Sequence, residues 1–234
     1  MRRTPIRAAT AVKAAVAAAV FGGLIAGCAP VQLGAAATVG DHRISTAQLD
    51  NEVAVLAQAA KPYSGAVQVT AAQMPKQVLS WLIRFQIRED LATSEHITVS
   101  RSQTQQALAD IYQQAAAQAQ QQGVSNVTLD ELAVANGLPP DLLAELGRYQ
   151  AIEISYAEQR NGGKLPTSST AVTAITQQFG LAECRTYKSQ PVHVSPQFGA
   201  MNYTQNSVVA APDTLSRAQG TAAKPSTSGQ SPSC

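Results

Sequence analysis

The side chains of this chain that could do chemistry are few and widely spaced. Three cysteines occur, at positions 28, 184 and 234, and three histidines, at 42, 96 and 193. No cysteine stands at metal-ligand spacing from a histidine, so the sequence offers no tetrahedral zinc set. Glu89 and Asp90 are neighbours in a helical stretch, and adjacent helical positions point in different directions. They read as a solvated edge rather than an acid/base pair. His42 and His193 fall in two short extended runs. If those runs pair, the two rings approach one another, although strand decoration fits them better than a ligand site. His96 follows a long helical pattern and reads as its cap. A hydrolase serine elbow, a phosphate loop and a dinucleotide fingerprint are all missing from the sequence. The expectation is a chain with no catalytic residue, no metal and no cofactor.

Cys28 is different, because its surroundings specify its chemistry. Arg2, Arg3, Arg7 and Lys13 precede an apolar run, Ala14 to Ile25, of signal-peptide length and too short for a comfortable membrane span. The run closes on Leu24, Ile25, Ala26, Gly27 and Cys28. This ending resembles the lipobox of bacterial lipoproteins, which implies cleavage before Cys28 and lipid attachment there. The expected location is the extracytoplasmic face of the cell membrane, held through the lipid. Four of the 17 lysines and arginines lie in residues 1–27, leaving 13 against 15 acidic residues and a mature charge near −2. That balance carries no basic stripe for nucleic acid. An exported location permits a bridge between Cys184 and Cys234; the sequence leaves that pairing open.

The elements that would position these groups are mainly helical. Residues 28–37 read as a tether, 38–209 as the folded domain, and 210–234, rich in Ala, Ser, Thr, Pro and Gly, as a disordered tail. Capping-box pairs at Ser45/Gln48, Thr70/Gln73, Ser100/Gln103 and Thr128/Glu131 mark four helix starts. The first helix carries Leu49, Val53, Leu56 and Ala60 on one stripe and stops before Pro62. The second is apolar nearly all round through Val78, Leu79, Trp81, Leu82, Ile83, Phe85 and Ile87, so it is central. Arg84, Arg88, Glu89 and Asp90 are then expected to leave through its least buried edge. A third helix runs from about Arg101 to Gln120, a short one from Leu129 to Asn136, and another opens at Pro139-Pro140 with Leu142, Leu146, Tyr149 and Tyr156 on one face. A last short helix, Val172 to Phe179, precedes an extended stretch with Val192 and Val194 alternating.

The run "ATVGDHRISTAQLDNEV", followed by "VLSWLIRFQIREDLATSEHITVSRSQTQQAL", resembles the N-terminal domain of SurA-type periplasmic chaperones and PrsA-type foldase lipoproteins. In that pattern a short strand leads into a Ser/Thr-capped helix. A long helix then ends in Ile-x-Val-Ser/Thr, here Ile97, Val99 and Ser100. His96 stands where the family usually has Gly. The similarity runs from about Thr38 to Tyr156. The later "VHVSPQFGAMNYTQNSVV" resembles the ending of lipoproteins of this type from high-GC Gram-positive bacteria. The resemblance implies a mainly α, SurA N-terminal-like domain completed by a small antiparallel sheet, in which Thr38–Ile44 pairs with the segment around Val192–Val194.

Family members that are peptidyl-prolyl isomerases carry a parvulin domain after the helical part. Here only about thirty residues separate Gly163 from the returning strand, they contain no His, and Cys184 stands alone. The expected function is therefore non-catalytic, chaperone-type binding of unfolded secreted polypeptides through a shallow apolar groove. Met74, Trp81, Phe85, Tyr149 and Tyr156 are the candidate groove and core residues. Two alternatives are an envelope scaffold that binds one dedicated partner and an isomerase.

Overall fold

The computed structural model describes residues 34–63 and 69–211. They form a mainly α fold with six helices and small antiparallel sheets. The chain enters through β1 (Ala35–Val39) and turns at Gly40-Asp41 into β2 (His42–Ser45). This two-residue connection needs positive φ, and Gly40 supplies it at +52°. β3 (Val192–Val194) returns from the far end of the sequence and pairs with the other side of β1, Thr38 opposite His193. The expected long-range pairing is present, with two corrections. The segment 38–44 is not one strand but the two arms of a hairpin. Its first arm also begins at Ala35, inside the stretch read as tether. Ala35, Ala36 and Ala37 are buried, since side chains this small let the strand lie close against the helix beneath it. The sheet order β2-β1-β3 also places β1 between His42 and His193, so those two residues do not meet across neighbouring strands.

Helix starts follow local chemistry closely. Ser45 caps α1 (Thr46–Ala60), its Oγ accepting from the Gln48 N–H at 3.0 Å. Ser100 and Gln103 form a complete capping box at α3 (Arg101–Gln121), and Thr128 caps α4 (Leu129–Ala135). Thr70 does not cap α2 (Met74–Ser94). It bonds the Gln73 side chain one turn earlier, and α2 starts with Pro75 in its first turn instead. At the other end of α2, His96 occupies the left-handed position at φ 55°, and the Ile97 N–H reaches back to Ala92 O at 2.8 Å. That is the helix stop expected of it, made with an imidazole where glycine is the cheaper choice.

A single 3-10 turn, Pro140–Leu142, leads into α5 (Leu143–Arg160). The last helix is longer than expected: α6 spans Ser169–Ser189, capped by Ser168. It runs on through Gly180 because Ile175, Phe179, Ala182, Thr186 and Tyr187 form one buried stripe along it. A second hairpin, β4 (Ala200–Asn202) and β5 (Ser207–Val209), then docks on α2. There the buried Val208 N–H donates to Ser80 Oγ at 2.8 Å, and Arg84 Nε donates to Asn206 O at 2.7 Å.

Two clusters of buried side chains result, and α2 runs through both. The larger joins the sheet, α1, α4 and the first four turns of α2 through residues such as Val39, Leu49, Leu56, Val78, Ile83 and Leu138. The smaller gathers Leu91, Ala92, Ile152, Tyr156, Ile175, Phe179 and Ala182 from α2, α5 and α6. Among the described residues no helix is long and apolar enough to cross a membrane.

Candidate functional site

A cleft of about 400 Å³ opens where β2, the start of α1, α2 and α5 converge. Four residues from α2 line it, Leu82, Phe85, Gln86 and Glu89. Their spacing is that of one helical face, so a single stripe of α2 forms the floor. α5 contributes Glu145, Arg148 and Tyr149, with Leu142 from the turn before it, and Gln48 of α1 closes one end.

The remaining wall is β2, and the manner of its contribution is informative. His42, Arg43 and Ile44 are consecutive, and all three line the cleft. Successive strand side chains point to opposite faces. Three in a row can border one space only if the strand turns its edge toward it. β2 is also the terminal strand of its sheet and pairs with no second strand among the described residues. The cleft thus combines a sheet edge with a floor that is apolar at Leu82 and Phe85 and polar at Gln86 and Glu89.

Three aromatic rings continue that floor along α2. Trp81 stacks on Phe85 at 5.7 Å, and Phe85 meets Tyr149 edge-on at 5.9 Å. The Trp81 indole N–H donates to Asn136 O at 3.3 Å, which ties it to the end of α4. Burial raises the Tyr149 phenol above its ordinary range, and the Arg88 guanidinium, 3.7 Å over the ring, opposes that shift. Arg148 bridges the cleft floor to Glu89 through two hydrogen bonds, Nε to Oε1 at 2.5 Å and Nη2 to Oε2 at 2.8 Å. The guanidinium of Arg148 is consequently held more firmly protonated than usual, first by that hydrogen bond. Gly147 fixes where Arg148 stands. A Cβ there would lie 2.7 Å from the backbone oxygen of Thr104, so only glycine lets α5 approach α3 this closely.

The expected site residues divide. Phe85 and Tyr149 line the cleft, and Trp81 flanks it. Met74 does not line the cleft and packs in the larger core, while Tyr156, 1% exposed, packs on Phe179 at 5.1 Å in the smaller core. Arg88 does not leave by an exposed edge. It is buried between Glu153 at 3.2 Å and Glu183 at 3.3 Å, because α5 and α6 cover that side of α2. Asp90 is not a solvated carboxylate either: Oδ1 accepts from Gln86 Nε2 at 3.0 Å and lies 3.7 Å from His42 Nε2, and Oδ2 is buried without a partner. Sequence reasoning missed Gln48, Leu82, Gln86, Leu142, Glu145 and Arg148 as cleft residues. The 82, 85, 86, 89 spacing on α2 was the available signal.

No group of three or more His, Cys, Asp or Glu among the described residues could hold a metal. Cys184 is disulfide-bonded, so it is not a free thiol. Cys28 and its lipobox, Leu24 to Gly27, lie outside the described residues, as does Cys234. The arrangement therefore has the parts for holding a polypeptide: an edge for main chain, an apolar floor for a side chain and a charged rim.

Residues 3–153 match the SurA-like N-terminal domain. No curated protein and no solved structure matches the chain. The matched region holds β1, β2 and α1 to α4, every lining residue of the cleft, and most of α5, whereas α6 and the returning strands lie beyond it. With well over half of its length accounted for in this way, the chain belongs to the SurA-like N-terminal domain family, a chaperone-type family.

Proposed function

We propose that this protein is a lipid-anchored, extracytoplasmic chaperone-type binder that holds unfolded secreted polypeptides in extended form without catalysing a reaction on them. The bound segment adds to the outer edge of β2, on which no described strand pairs, and places one side chain over Leu82, Phe85 and Tyr149. Main-chain bonding along a sheet edge is indifferent to sequence, and a small open apolar floor accepts many side chains. That combination suits a binder of varied clients. The observation that carries the reading is the edge-on placement of His42, Arg43 and Ile44 beside the cleft. The lipobox at Leu24 to Cys28 supports the anchor.

The test is suppression of aggregation of several unrelated denatured clients, combined with a photo-crosslinker at position 85. Protection of many clients, with crosslinks that disappear under competing unfolded chain, is the expected result. Capture of one partner with no client protected defeats the general-binder reading in favour of a dedicated envelope scaffold. Proline isomerisation above background in a protease-coupled assay defeats the non-catalytic part. The anchor has its own readout, the mass of the mature protein, which should show loss of residues 1–27 and gain of acyl chains.

A further inference from the structure

Among the described residues no cation pairs with the acidic side of the cleft. Glu145 lines the cleft from α5, Asp141 precedes the lining residue Leu142, and Glu52 sits one turn beyond the lining residue Gln48 on the same face of α1. None of the three forms a salt bridge with a described residue, although Glu89 on the cleft floor is matched by Arg148. Glu52 Oε2 is buried with no hydrogen-bond partner. Its carboxyl is pushed above the ordinary range, first by burial and then by the negative charge of Asp141, with Asn51 opposing and Glu145 adding to the shift. Two arginines and two glutamates line the cleft, so Glu52 and Asp141 leave this end with two further negative charges.

We infer that the cleft prefers extended segments in which a lysine or arginine stands two positions from an apolar residue. This rests on the polypeptide-binding reading above and names the class of segment bound. In an added strand, side chains two apart face the same way. An apolar residue over Phe85 then has its neighbour but one on the cleft side as well. The aliphatic stem of a lysine or arginine lies along Leu142 while its head reaches the Glu52, Asp141 and Glu145 carboxylates. The cation relieves the repulsion among the three acids. Segments carrying glutamate at the same place meet repulsion instead, which is discrimination by an unfavourable pairing.

Three labelled nonapeptides test this, identical apart from lysine, glutamine or glutamate two positions from a central leucine, titrated against the mature protein. The lysine peptide should bind tightest and the glutamate peptide weakest, about tenfold apart at low salt, with the gap closing in high salt. The triple variant E52Q/D141N/E145Q should bring the three affinities together, and F85A should weaken all three alike. Equal binding of the lysine and glutamate peptides, or a preference that survives the triple variant, overturns the charge selectivity and leaves the cleft as a peptide site. Binding of no peptide, or binding unaffected by F85A, overturns the polypeptide-binding reading and the selectivity with it.

Discussion

Arg88 and Glu89 are neighbours on α2, and each meets an ion-pair partner in a different medium. Arg88 has 3% of its side chain exposed and lies between Tyr149 and Phe179, with its guanidinium over both rings. Glu89 and Arg148 are each 40% exposed at the floor of the cleft. One step along a helix changes an interior charge into a rim charge, because adjacent positions face different neighbours. The buried charge is held through its two Nη groups by Glu153, Glu183 and the Tyr149 carbonyl, with Nε left unpartnered among the described residues, and it ties α2 to α5 and α6. The exposed pair contributes little to stability and sets the charge of the open surface. Tyr149 is the wall between the two, with one face on Arg88 and an edge toward Phe85.

Removing Arg88 should therefore do the most damage. R88A leaves Glu183 and Glu153 without their cation and removes the guanidinium packed over Tyr149 and Phe179, and we expect a loss of about 3–5 kcal/mol in urea unfolding. Adding E153Q and E183Q should restore a good part of that loss. A triple variant no more stable than R88A would show that ring packing, not uncompensated charge, dominates there.

G147A comes next. It forces α5 away from Thr104 of α3, at about 1–3 kcal/mol, and displaces Arg148 from Glu89. A crystal structure or chemical-shift change at both elements would check the displacement. Unchanged stability would mean that α3 yields freely at this contact.

Alkaline titration separates buried groups from rim groups in another way. Burial raises the Tyr149, Tyr187 and Tyr203 phenols above the ordinary value of 10.0. A phenol that holds its proton more tightly when folded contributes stability that is complete below the unfolded value and is lost as pH rises through the folded one. The melting temperature should thus fall above about pH 10. Tyr187 has a buried hydroxyl with no partner, so Y187F should flatten that fall and leave stability at pH 7 unchanged or slightly higher. An identical alkaline slope in Y187F would assign the loss to other groups.

The smallest effect should come from R148A, within about 1 kcal/mol of the parent, because its bridge to Glu89 is half in water. A cost approaching that of R88A would erase the distinction between the two sites.

Much of this architecture is visible in local chemistry. Ser45, Ser100 and Thr128 cap helices where a hydroxyl three residues ahead of a Gln or Glu says they should. The apolar circumference of α2 announces a central helix, and the alternating Val192 and Val194 announce a strand. The cleft is less legible. Phe85 and Tyr149 draw attention as aromatic residues, but Tyr156 is aromatic too and ends in the core, as does the large apolar Met74. Whether an apolar residue borders a cleft or fills a core depends on what other elements place over it.

The sequence by itself determined the helix boundaries set by caps, the central place of α2 and the kinship with the SurA-like N-terminal domain. These rest on interactions within a few residues, or on a pattern of apolar positions that survives without knowledge of its partners. Tertiary structure alone decided that Arg88 is buried, that β1 separates His42 from His193, and that β2 shows its edge to the cleft. Each of those depends on a segment distant in the chain: Glu153 and Glu183 for Arg88, β3 for the sheet, α2 and α5 for the cleft. A periodic pattern says which face of an element is apolar, and only the packed fold says what that face meets.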